Sequence, residues 1–292
     1  MTTDATAPWR IVLFSDQPQV AALVQQVIPA LGHKLVALVT SGKRSPDYIG
    51  AVQAMAPDVD VLITQRPQRL AQLLSGLEFD VLLCVVFPLR LPADVLALPR
   101  LGAVNMHPST LPAYRGTMTP NWHLLNGETQ IGLTLHRMTP QFDDGAILAQ
   151  TSVPIDPDDD MNTMMRRLFS TGPQVLAEGF ARLAASDPGR PQDASQASYF
   201  GVMDPALRNI TWDMPARTIH NRVRAHSAIV AELGVVAQLE GEALCITRSR
   251  VIADEGQTQR VGTWSRDADG TLMVQCGSGV LALLESAPVT AA

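Results

Sequence analysis

Three polar side chains in the first half of the chain have the types and spacing needed for chemistry on an acyl group. Asn105 and His107 close the apolar run GAVNMH (102–107), and Asp143 lies in the loop TPQFDDG (139–145). The amide can donate a hydrogen bond to a developing oxyanion, and the imidazole can stabilise the same charge or move a proton. The carboxylate can hold the imidazole or take a proton from an amine, directly or through water. Because no serine or cysteine nucleophile with a base accompanies them, the set predicts direct attack by a bound amine.

The elements around these residues predict an α/β fold. Apolar runs alternate with helix-like stretches along the first half of the chain: WRIVLFS (9–15), KLVALVT (34–40), VDVLIT (59–64), FDVLLCVVF (79–87) and GAVNMH. Continuous apolar runs indicate strands buried on both faces, as in a parallel sheet with helices on each side. A further strand is predicted over 131–138. If it lies parallel beside 102–107, the strand ends and the Asp143 loop share one crevice, the usual ligand position in such sheets.

The second half of the chain predicts a different architecture. Helices are expected at about 119–126, from about Met161 to Ala185 and at about 214–226. A Ser-, Pro- and Asp-rich stretch over 186–198 is typical of a linker. Short strands then alternate with turns, and the pairs Glu240-Gly241 and Asp269-Gly270 are hairpin signals. This pattern predicts a small antiparallel β-barrel of OB type, and hence a catalytic domain over 1–205 followed by an OB-like domain over 206–292.

Bulk composition excludes several classes of protein. The 292 residues are 46% hydrophobic and 17% charged, which is typical of a folded chain. No apolar run reaches the ~18 residues that span a bilayer. The acidic N-terminus lacks the layout of a secretion signal, so a cytoplasmic protein without membrane contact is expected. The three cysteines lie far apart, so neither a disulfide framework nor a metal site is expected. The chain has no GxGxxG after its first strand and no GxxxxGK[ST], which argues against a nucleotide site of either kind.

Several motifs in a fixed order surround the three polar side chains. Asn105-x-His107 is followed by SxLPxYRG (109–116), NGET (126–129), GxTxHRM (132–138), and Asp143 with Gly145. This series resembles the folate-dependent formyltransferase family, whose members formylate methionyl-tRNA, aminosugar nucleotides or glycinamide ribonucleotide. The segment ITWDMPARTIHNRVRA (210–225) resembles the start of the C-terminal domain of the methionyl-tRNA and aminosugar enzymes. The resemblance therefore extends over most of the chain.

The resemblance implies a Rossmann-like N-terminal domain that binds N10-formyltetrahydrofolate and passes its formyl group to an amine. Asn105, His107 and Asp143 fall on the family's catalytic positions. The pterin is expected against backbone groups of two loops, one leading from Thr139 to Asp143 and the other formed by Phe87, Pro88, Leu89, Arg90 and Leu91. Pro88 and Arg90 depart from the family pattern, in which the latter loop is rich in Gly or in Leu and Ile.

Four further residues are predicted to contact the acceptor: Ser109, Arg115, His136 and Asp144. Arg115 can bind an acceptor carboxylate or phosphate, or it can brace its own loop through a salt bridge. His136 can point into the crevice and assist at the formyl group, or it can be a strand histidine satisfied by its neighbours. Asp144 stands where the family has a small or neutral residue. Beside Asp143 it can attract a cationic acceptor, because two adjacent carboxylates are costly to keep ionised, or it can cap a turn.

Charge bears on the choice of acceptor. The net charge is −6, and residues 206–292 hold eight arginines, no lysine and nine acidic residues. The methionyl-tRNA enzymes carry a long basic insertion after their second strand, where this chain has only SGKRSPDY (41–48). A binding site for about six tRNA phosphates is difficult to form from segments with this balance of positive and negative residues. A small-molecule amine is therefore expected, such as an aminosugar nucleotide, an amino acid or hydroxyornithine. Methionyl-tRNA is the alternative, and a non-catalytic folate-binding protein is the second alternative. The expected assembly is a monomer or homodimer.

Overall fold

A computed structural model of the protein describes residues 7–42, 46–55, 57–226, 234–256 and 259–289. Residues 43–45 of the loop SGKRSPDY lie outside these ranges. Contacts between Cα atoms divide the chain into two compact units. The first comprises Met1–Gly116, Gly132–Thr151 and Ser170–Tyr199, and the second comprises Thr117–Ile131, Ser152–Phe169 and Phe200–Ala292. The boundary after residue 205 stays a prediction.

The predicted α/β architecture is confirmed by a seven-stranded sheet. The first eight strands are β1 (Arg10–Phe14), β2 (Lys34–Thr40), β3 (Asp60–Ile63), β4 (Val81–Cys84), β5 (Gly102–His107), β6 (Arg115–Gly116), β7 (Gln130–Arg137) and β8 (Ile147–Pro154). The strand order in the sheet is β3-β2-β1-β4-β5-β7-β8. The pairs that β1 forms with β2 and with β4 are parallel, as are the β2–β3 and β4–β5 pairs. Neighbouring carboxyl ends of β1, β4 and β5 therefore lie at one edge.

One predicted strand direction is wrong. The strand over 131–138 does lie beside 102–107, but β7 pairs with β5 in the antiparallel sense. The apolar pattern failed here because it reports burial of the two faces, which is the same for either strand direction. The site is therefore not a crevice between two parallel strand ends. In this antiparallel register Asn105 is the partner of His136, and His107 is the partner of Thr134.

Helices flank the sheet of the first unit: α1 (Pro18–Ala30), α2 (Pro46–Met55), α3 (Leu70–Leu74) and α4 (Ala93–Leu96). On one face of the sheet, side chains such as Val12, Phe14 and Leu82 form a core with Leu70 and Val95 from the helices. Burial of this apolar area is the main favourable contribution to folding, at about 25 cal/mol per Å². Within the described ranges, no helix is long and apolar enough to cross a membrane.

The helix expected from Met161 to Ala185 is two helices. They are α6 (Met161–Phe169) and α7 (Gly172–Ala184), and they follow α5 (Thr119–Leu125) in the chain. Pro173 lies in the first turn of α7. Proline lacks an N–H and clashes with the preceding turn, so it is favoured in the first turn of a helix and disfavoured in the helix interior. The apolar periodicity continues across this break, which explains the prediction of one long helix.

The segment predicted to be a linker, 186–198, instead packs on the first unit. The N–H groups and carbonyls of Ile147 and Arg190 pair at 2.8 and 2.9 Å, and Ser198 accepts from the Arg115 N–H at 2.8 Å. The next residues form β9 (Tyr199–Phe200), which pairs with β6. A composition rich in Pro, Ser and Asp disfavours helix and buried strand, but it is compatible with an extended segment that hydrogen bonds along a surface. We call residues 186–199 the strap.

The predicted C-terminal antiparallel domain is confirmed in the second unit. A five-stranded antiparallel sheet has the order β10-β11-β14-β13-β12 and is accompanied by α8 (Ala216–His226). The strands are β10 (Val235–Leu239), β11 (Glu242–Ala253), β12 (Trp264–Arg266), β13 (Leu272–Gln275) and β14 (Val280–Pro288). Glu240 and Gly241 have φ of 53° and 86° and join β10 to β11, the conformation that a tight hairpin requires. Trp212 lies in the apolar core of this unit and donates from Nε1 to Gln238 O at 2.7 Å.

Candidate active site

The centre of the candidate site is a cross-strand pair. Asn105 on β5 faces His136 on β7, and Asn105 Nδ2 lies 3.2 Å from His136 Nε2. His136 Nδ1 lies 2.8 Å from the Arg137 carbonyl oxygen, which can only accept, so Nδ1 carries the proton of the neutral ring. Nε2 is then a lone pair that accepts from the Asn105 amide. His136 is 2% exposed, so this arrangement is shielded from water.

Asp143 reaches the pair from the turn that follows β7. Its Oδ1 accepts from Asn105 Nδ2 at 3.2 Å, and its Oδ2 accepts from the Gly116 N–H at 2.9 Å. Asp143 adopts φ +55°, a left-handed conformation that Asp and Asn tolerate better than most residues. The turn also needs Gly145, because a Cβ at that position would overlap the Arg137 carbonyl oxygen. The backbone is therefore folded tightly so that one carboxylate points back at β5.

His107 completes the group from the end of β5. Its Nε2 donates to the Tyr114 carbonyl oxygen at 2.8 Å, which leaves Nδ1 facing Asp143 Oδ1 at 3.7 Å. The His107 and His136 rings lie 6.4 Å apart between centroids and are nearly perpendicular, at 80°. Tyr114 has φ +58°, so a second unusual backbone conformation supports the site. Such conformations cluster at functional sites, where the surrounding structure holds them.

Burial and hydrogen bonding fix the charges of the two titrating groups. Burial lowers the pKa of His107 below its usual value, and the attraction of Asp143 offsets only part of that effect. Burial alone would raise the pKa of Asp143, but His107, His136 and the Gly116 N–H outweigh it and lower that pKa to about 2. At neutral pH the group is therefore an aspartate beside a neutral imidazole. An imidazole whose free nitrogen faces a carboxylate is suited to accept a proton, because the carboxylate stabilises the imidazolium that forms.

The two loops expected to hold a pterin lie against each other. Arg90 donates from Nε to the Pro140 carbonyl oxygen at 2.8 Å, and its guanidinium lies 5.8 Å from the centroid of the Phe142 ring. Phe87 packs edge-on against Phe14, and Leu91 is 4% exposed within the core. The structure thus brings the 139–143 loop and the 87–91 loop together through Arg90. The side chains of Phe87 and Leu91 serve the core, which leaves backbone groups of these loops for a ligand.

The residues predicted to contact an acceptor make contacts within the protein. Ser109 is fully buried and donates from Oγ to Ala113 O at 2.9 Å. Arg115 is 5% exposed and donates to Gln192 and to the Tyr199 hydroxyl, so it braces the strap, though without the predicted salt bridge. Asp144 accepts from the Thr139 hydroxyl, which is the turn-capping alternative. Of the four, His136 alone touches Asn105 and Asp143.

Three groups of the site were not predicted from the sequence. The Tyr114 carbonyl orients His107, and the Gly116 N–H binds Asp143. Both are backbone groups, which side-chain types do not reveal, although they lie in the YRG part of the motif SxLPxYRG. The third is the Gln192 side chain, which donates to the carbonyl oxygens of Asp143 and Gly145 at 2.8 Å each. No signal of residue type or spacing marked Gln192 in a stretch that has the composition of a linker.

Two of the three cysteines, Cys84 and Cys276, are buried, and the described residues offer no cluster of metal ligands. No cluster of three or more His, Cys, Asp or Glu side chains there could hold a metal ion. Burial raises the pKa of Cys84 to about 12 and that of Cys276 to about 11, so both thiols stay protonated at neutral pH. The thiolate is the nucleophilic form, so neither of these cysteines is suited to covalent catalysis.

Two family descriptions match this sequence. Residues 10–179 match the formyl transferase family, and residues 203–289 match the formyl transferase C-terminal domain. Similar proteins include a methionyl-tRNA formyltransferase from Pelobacter propionicus, which is 33% identical over 288 residues, 94% of this chain and 88% of that protein. A methionyl-tRNA formyltransferase from Roseiflexus sp. is 32% identical over 287 residues, 97% of this chain and 85% of that protein.

Two solved structures that share the fold are more distant in sequence. The N-formyltransferase from Helicobacter canadensis in complex with folinic acid and dTDP-3-aminofucose has a TM-score of 0.68 at 19% identity, over 94% of this chain and 98% of that one. HypX from Aquifex aeolicus in complex with tetrahydrofolic acid has a TM-score of 0.69 at 15% identity over 97% of this chain. The chain spans 44% of the length of HypX. At these identities the likeness concerns the fold alone.

Proposed function

This chain belongs to the formyl transferase family, as its motifs predicted, and on that premise we propose that it transfers a formyl group from N10-formyltetrahydrofolate to the amino group of methionyl-tRNA. The observation that carries the proposal is the convergence of Asn105, His107 and Asp143 on one point, with an ionised carboxylate beside a neutral imidazole. We propose that these three residues are catalytic, that His136 assists Asn105, and that the reaction takes place in the cytoplasm.

The choice of methionyl-tRNA as the acceptor rests on relatives that match nearly the whole chain. The methionyl-tRNA formyltransferases from P. propionicus and Roseiflexus sp. are 32–33% identical over 94–97% of this chain, including its C-terminal domain. The sugar N-formyltransferase fold is shared at lower identity, 19% for the H. canadensis enzyme. This difference supports methionyl-tRNA over the small-molecule amine that charge alone favoured.

The residues present fit a folate donor. The pterin ring system is flat and carries polar edges, and it needs an apolar wall beside backbone donors and acceptors. The exposed Val86 and Phe142 side chains, 37% and 53% accessible, supply apolar surface on the two loops that Arg90 ties together. Backbone groups of Phe87–Leu91 and of Thr139–Asp143 would hold the ring. When bound, N10-formyltetrahydrofolate would supply the formyl carbon that the acceptor amine attacks, and N10 would take up a proton as its bond to that carbon breaks and tetrahydrofolate leaves.

His107 and Asp143 would manage the proton that the amine loses on attack. His107 Nε2 stays bonded to the Tyr114 carbonyl, so the proton arrives at Nδ1, whose lone pair faces the site. The resulting imidazolium lies 3.7 Å from the ionised Asp143 Oδ1, which stabilises its charge in a buried setting. Asp143, with a pKa of about 2, is too weak a base to keep the proton itself. Its role is to raise the affinity of His107 for that proton.

Asn105 would orient the bound amine. An ionised carboxylate only accepts, so the Asn105 Nδ2 end must face Asp143, and His136 Nε2 accepts from the same nitrogen. The Oδ1 end is thereby directed away from Asp143 and can accept from an N–H of the bound amine. Donation from Nδ2 to the oxyanion, the role predicted from the sequence, requires one of these two bonds to be exchanged during the reaction.

A small-molecule amine is the second candidate, and the charge of the C-terminal segment favours it. Of the eight arginines in residues 206–292, several are occupied within the described structure. Three are ion-paired, as Arg217–Asp254, Arg248–Glu285 and Arg250–Asp158, and Arg224 is buried. At most four of the eight arginines are then left to contact phosphates. Phosphate contacts provide much of the affinity of proteins for nucleic acid, so this segment offers tRNA a modest electrostatic grip.

A direct assay separates the two candidates. The protein is incubated with N10-formyltetrahydrofolate and either methionyl initiator tRNA or a panel of aminosugar nucleotides, amino acids and hydroxyornithine, and formylated products are identified by mass spectrometry. We expect formylmethionyl-tRNA. Product from a small amine alone would establish the second candidate. Absence of product from every amine, with a donor that calorimetry shows to bind, would support the non-catalytic folate-binding alternative.

A further inference from the structure

The strap is joined to the backbone of both loops that position the catalytic side chains. At its centre, Gln192 Nε2 donates to the carbonyl oxygens of Asp143 and Gly145 at 2.8 Å each. Its Oε1 accepts from Arg115, at 2.6 Å from Nη2 and 3.1 Å from Nε. One side-chain amide therefore links the Asp143 turn to β6, and all of its polar atoms are used in doing so.

The far end of the strap holds the loop that orients His107. Ser198 accepts from the Tyr114 N–H at Oγ, at 2.9 Å, and from the Arg115 N–H at its carbonyl, at 2.8 Å. Tyr114 is the residue whose carbonyl receives His107 Nε2. The Arg115 guanidinium, lying 5.3 Å from the centroid of the Tyr199 ring, fixes the same stretch from the side-chain direction. The strap thus contacts the partners of His107 and of Asp143.

We propose that Gln192 is a positioning residue for formyl transfer, which sets the distance between Asp143 and His107 by clamping the Asp143 turn against β6. The reaction that Gln192 would serve rests on the proposed function. The hydrogen bonds that Gln192 makes do not depend on which reaction is catalysed. The turn holds Asp143 at φ +55°, a conformation that persists only when the surroundings impose it. Gln192 satisfies the carbonyls of Asp143 and Gly145, within the same three-residue stretch. Without it these oxygens turn toward water, and Asp143 moves away from the Gly116 N–H.

Two substitutions separate the clamp from simple packing. Gln192→Leu keeps the volume and removes every hydrogen bond. Gln192→Glu keeps an acceptor for Arg115 but places a carboxylate oxygen against the two carbonyl oxygens. Gln196→Glu is the matched control, because Gln196 lies in the same strap, is exposed, and bonds only to Asp193 among the contacts described. Circular dichroism and thermal unfolding first establish that each variant is folded.

The expected kinetic result is a loss in kcat with little change in KM for the donor. A misplacement of about 1 Å at a catalytic group costs on the order of 10²-fold, so both Gln192 variants should fall by roughly that factor while Gln196→Glu matches the parent. A rise in KM alone would instead assign Gln192 to binding and overturn the positioning role, as would unchanged kinetics in folded variants.

A second readout does not depend on the acceptor. Carbon-13 NMR of the Asp143 carboxyl group follows its titration in the ligand-free protein. We expect the pKa of the Asp143 carboxyl group to be higher in Gln192→Leu than in the parent, closer to that of an ordinary aspartate, because the hydrogen bond from the Gly116 N–H is lost. An unchanged titration in a folded variant overturns the clamp, even if no amine is formylated by the parent. If the titration moves but the parent formylates nothing, the clamp stands and the proposed function fails.

Discussion

Asn105 and His136 are register partners across the antiparallel β5–β7 pair, with Nδ2 of one 3.2 Å from Nε2 of the other. Directly opposed residues of an antiparallel pair have closely spaced Cβ atoms, so the backbone alone brings these side chains into contact. Because His136 Nδ1 donates to the Arg137 carbonyl, its Nε2 can only accept from the Asn105 amide. The histidine thereby selects the orientation of Asn105, with the Nδ2 end toward Asp143 and the Oδ1 end away from it.

Two substitutions at His136 test that selection. Gln places a polar atom near the Nε2 position and can accept from Asn105, whereas Asn reaches only the Nδ1 position and leaves Asn105 without that acceptor. We expect His136→Asn to lower kcat roughly 5-fold, the effect of one hydrogen bond of about 1 kcal/mol, and His136→Gln to lower it less. The measurement is steady-state formylation at saturating donor. Equal losses in the two variants would show that the imidazole itself is required.

Asp143→Asn tests the charge in the centre of the site. Asn tolerates the left-handed backbone at φ +55°, so the turn should fold, but a neutral amide cannot stabilise a protonated His107. We expect kcat to fall roughly 10²-fold or more, the scale of a disabled proton transfer. Asp144→Asn is the control, because its amide oxygen can still accept from the Thr139 hydroxyl. We expect the control to retain near-parental kcat. Comparable losses in both variants would argue that the turn, rather than the Asp143 charge, had been damaged.

The sequence predicted which side chains form this site, but it did not predict the strand direction and the backbone contacts that bring them together. Polar residues at the end of an apolar run identified Asn105 and His107, and the motif order identified Asp143. The antiparallel direction of β7 could not be read from strands that are apolar on both faces. Gln192 was missed because its role depends on carbonyl oxygens of a distant turn, and those oxygens are common to every residue type. Such contacts become predictable only when the path of the strap is known.

Acidification should destabilise the protein well above the range in which carboxylates titrate. Burial lowers the pKa of His220 from 6.5 to about 4, while the unfolded chain keeps the ordinary value. As the pH falls below 6.5, His220 therefore binds a proton in the unfolded state but not in the folded state. The free energy of unfolding declines as a result until about pH 4. The full effect is about 3 kcal/mol. The pKa values of His33, His107 and His226 are also lowered, chiefly by burial, and act in the same direction.

Urea unfolding between pH 7 and pH 4.5 measures this decline. His220→Gln can still donate to the Pro157 carbonyl, which accepts from His220 Nε2 at 2.9 Å, but it binds no proton. We expect the variant to be less stable than the parent at pH 7 and to lose less free energy of unfolding on acidification. If the two proteins decline in parallel, the His220 pKa is not lowered in the folded state.

Salt dependence should reveal how the protein holds its acceptor. Because Arg217, Arg248 and Arg250 are ion-paired and Arg224 is buried, at most four of the eight arginines in residues 206–292 can contact phosphates. Each contact adds about 0.9 to the slope of log affinity against log salt, so for methionyl-tRNA we expect log kcat/KM to fall with a slope no steeper than about −4.

The measurement is formylation at subsaturating tRNA in potassium chloride, with donor saturating and kcat as the internal control, since phosphate contacts act on binding. A slope near −5, the value for about six phosphates, would contradict this limit, because the tRNA grip would then need cations beyond those the C-terminal segment provides. A flat profile accompanied by faster turnover of an aminosugar nucleotide would instead assign the acceptor to the small-amine class.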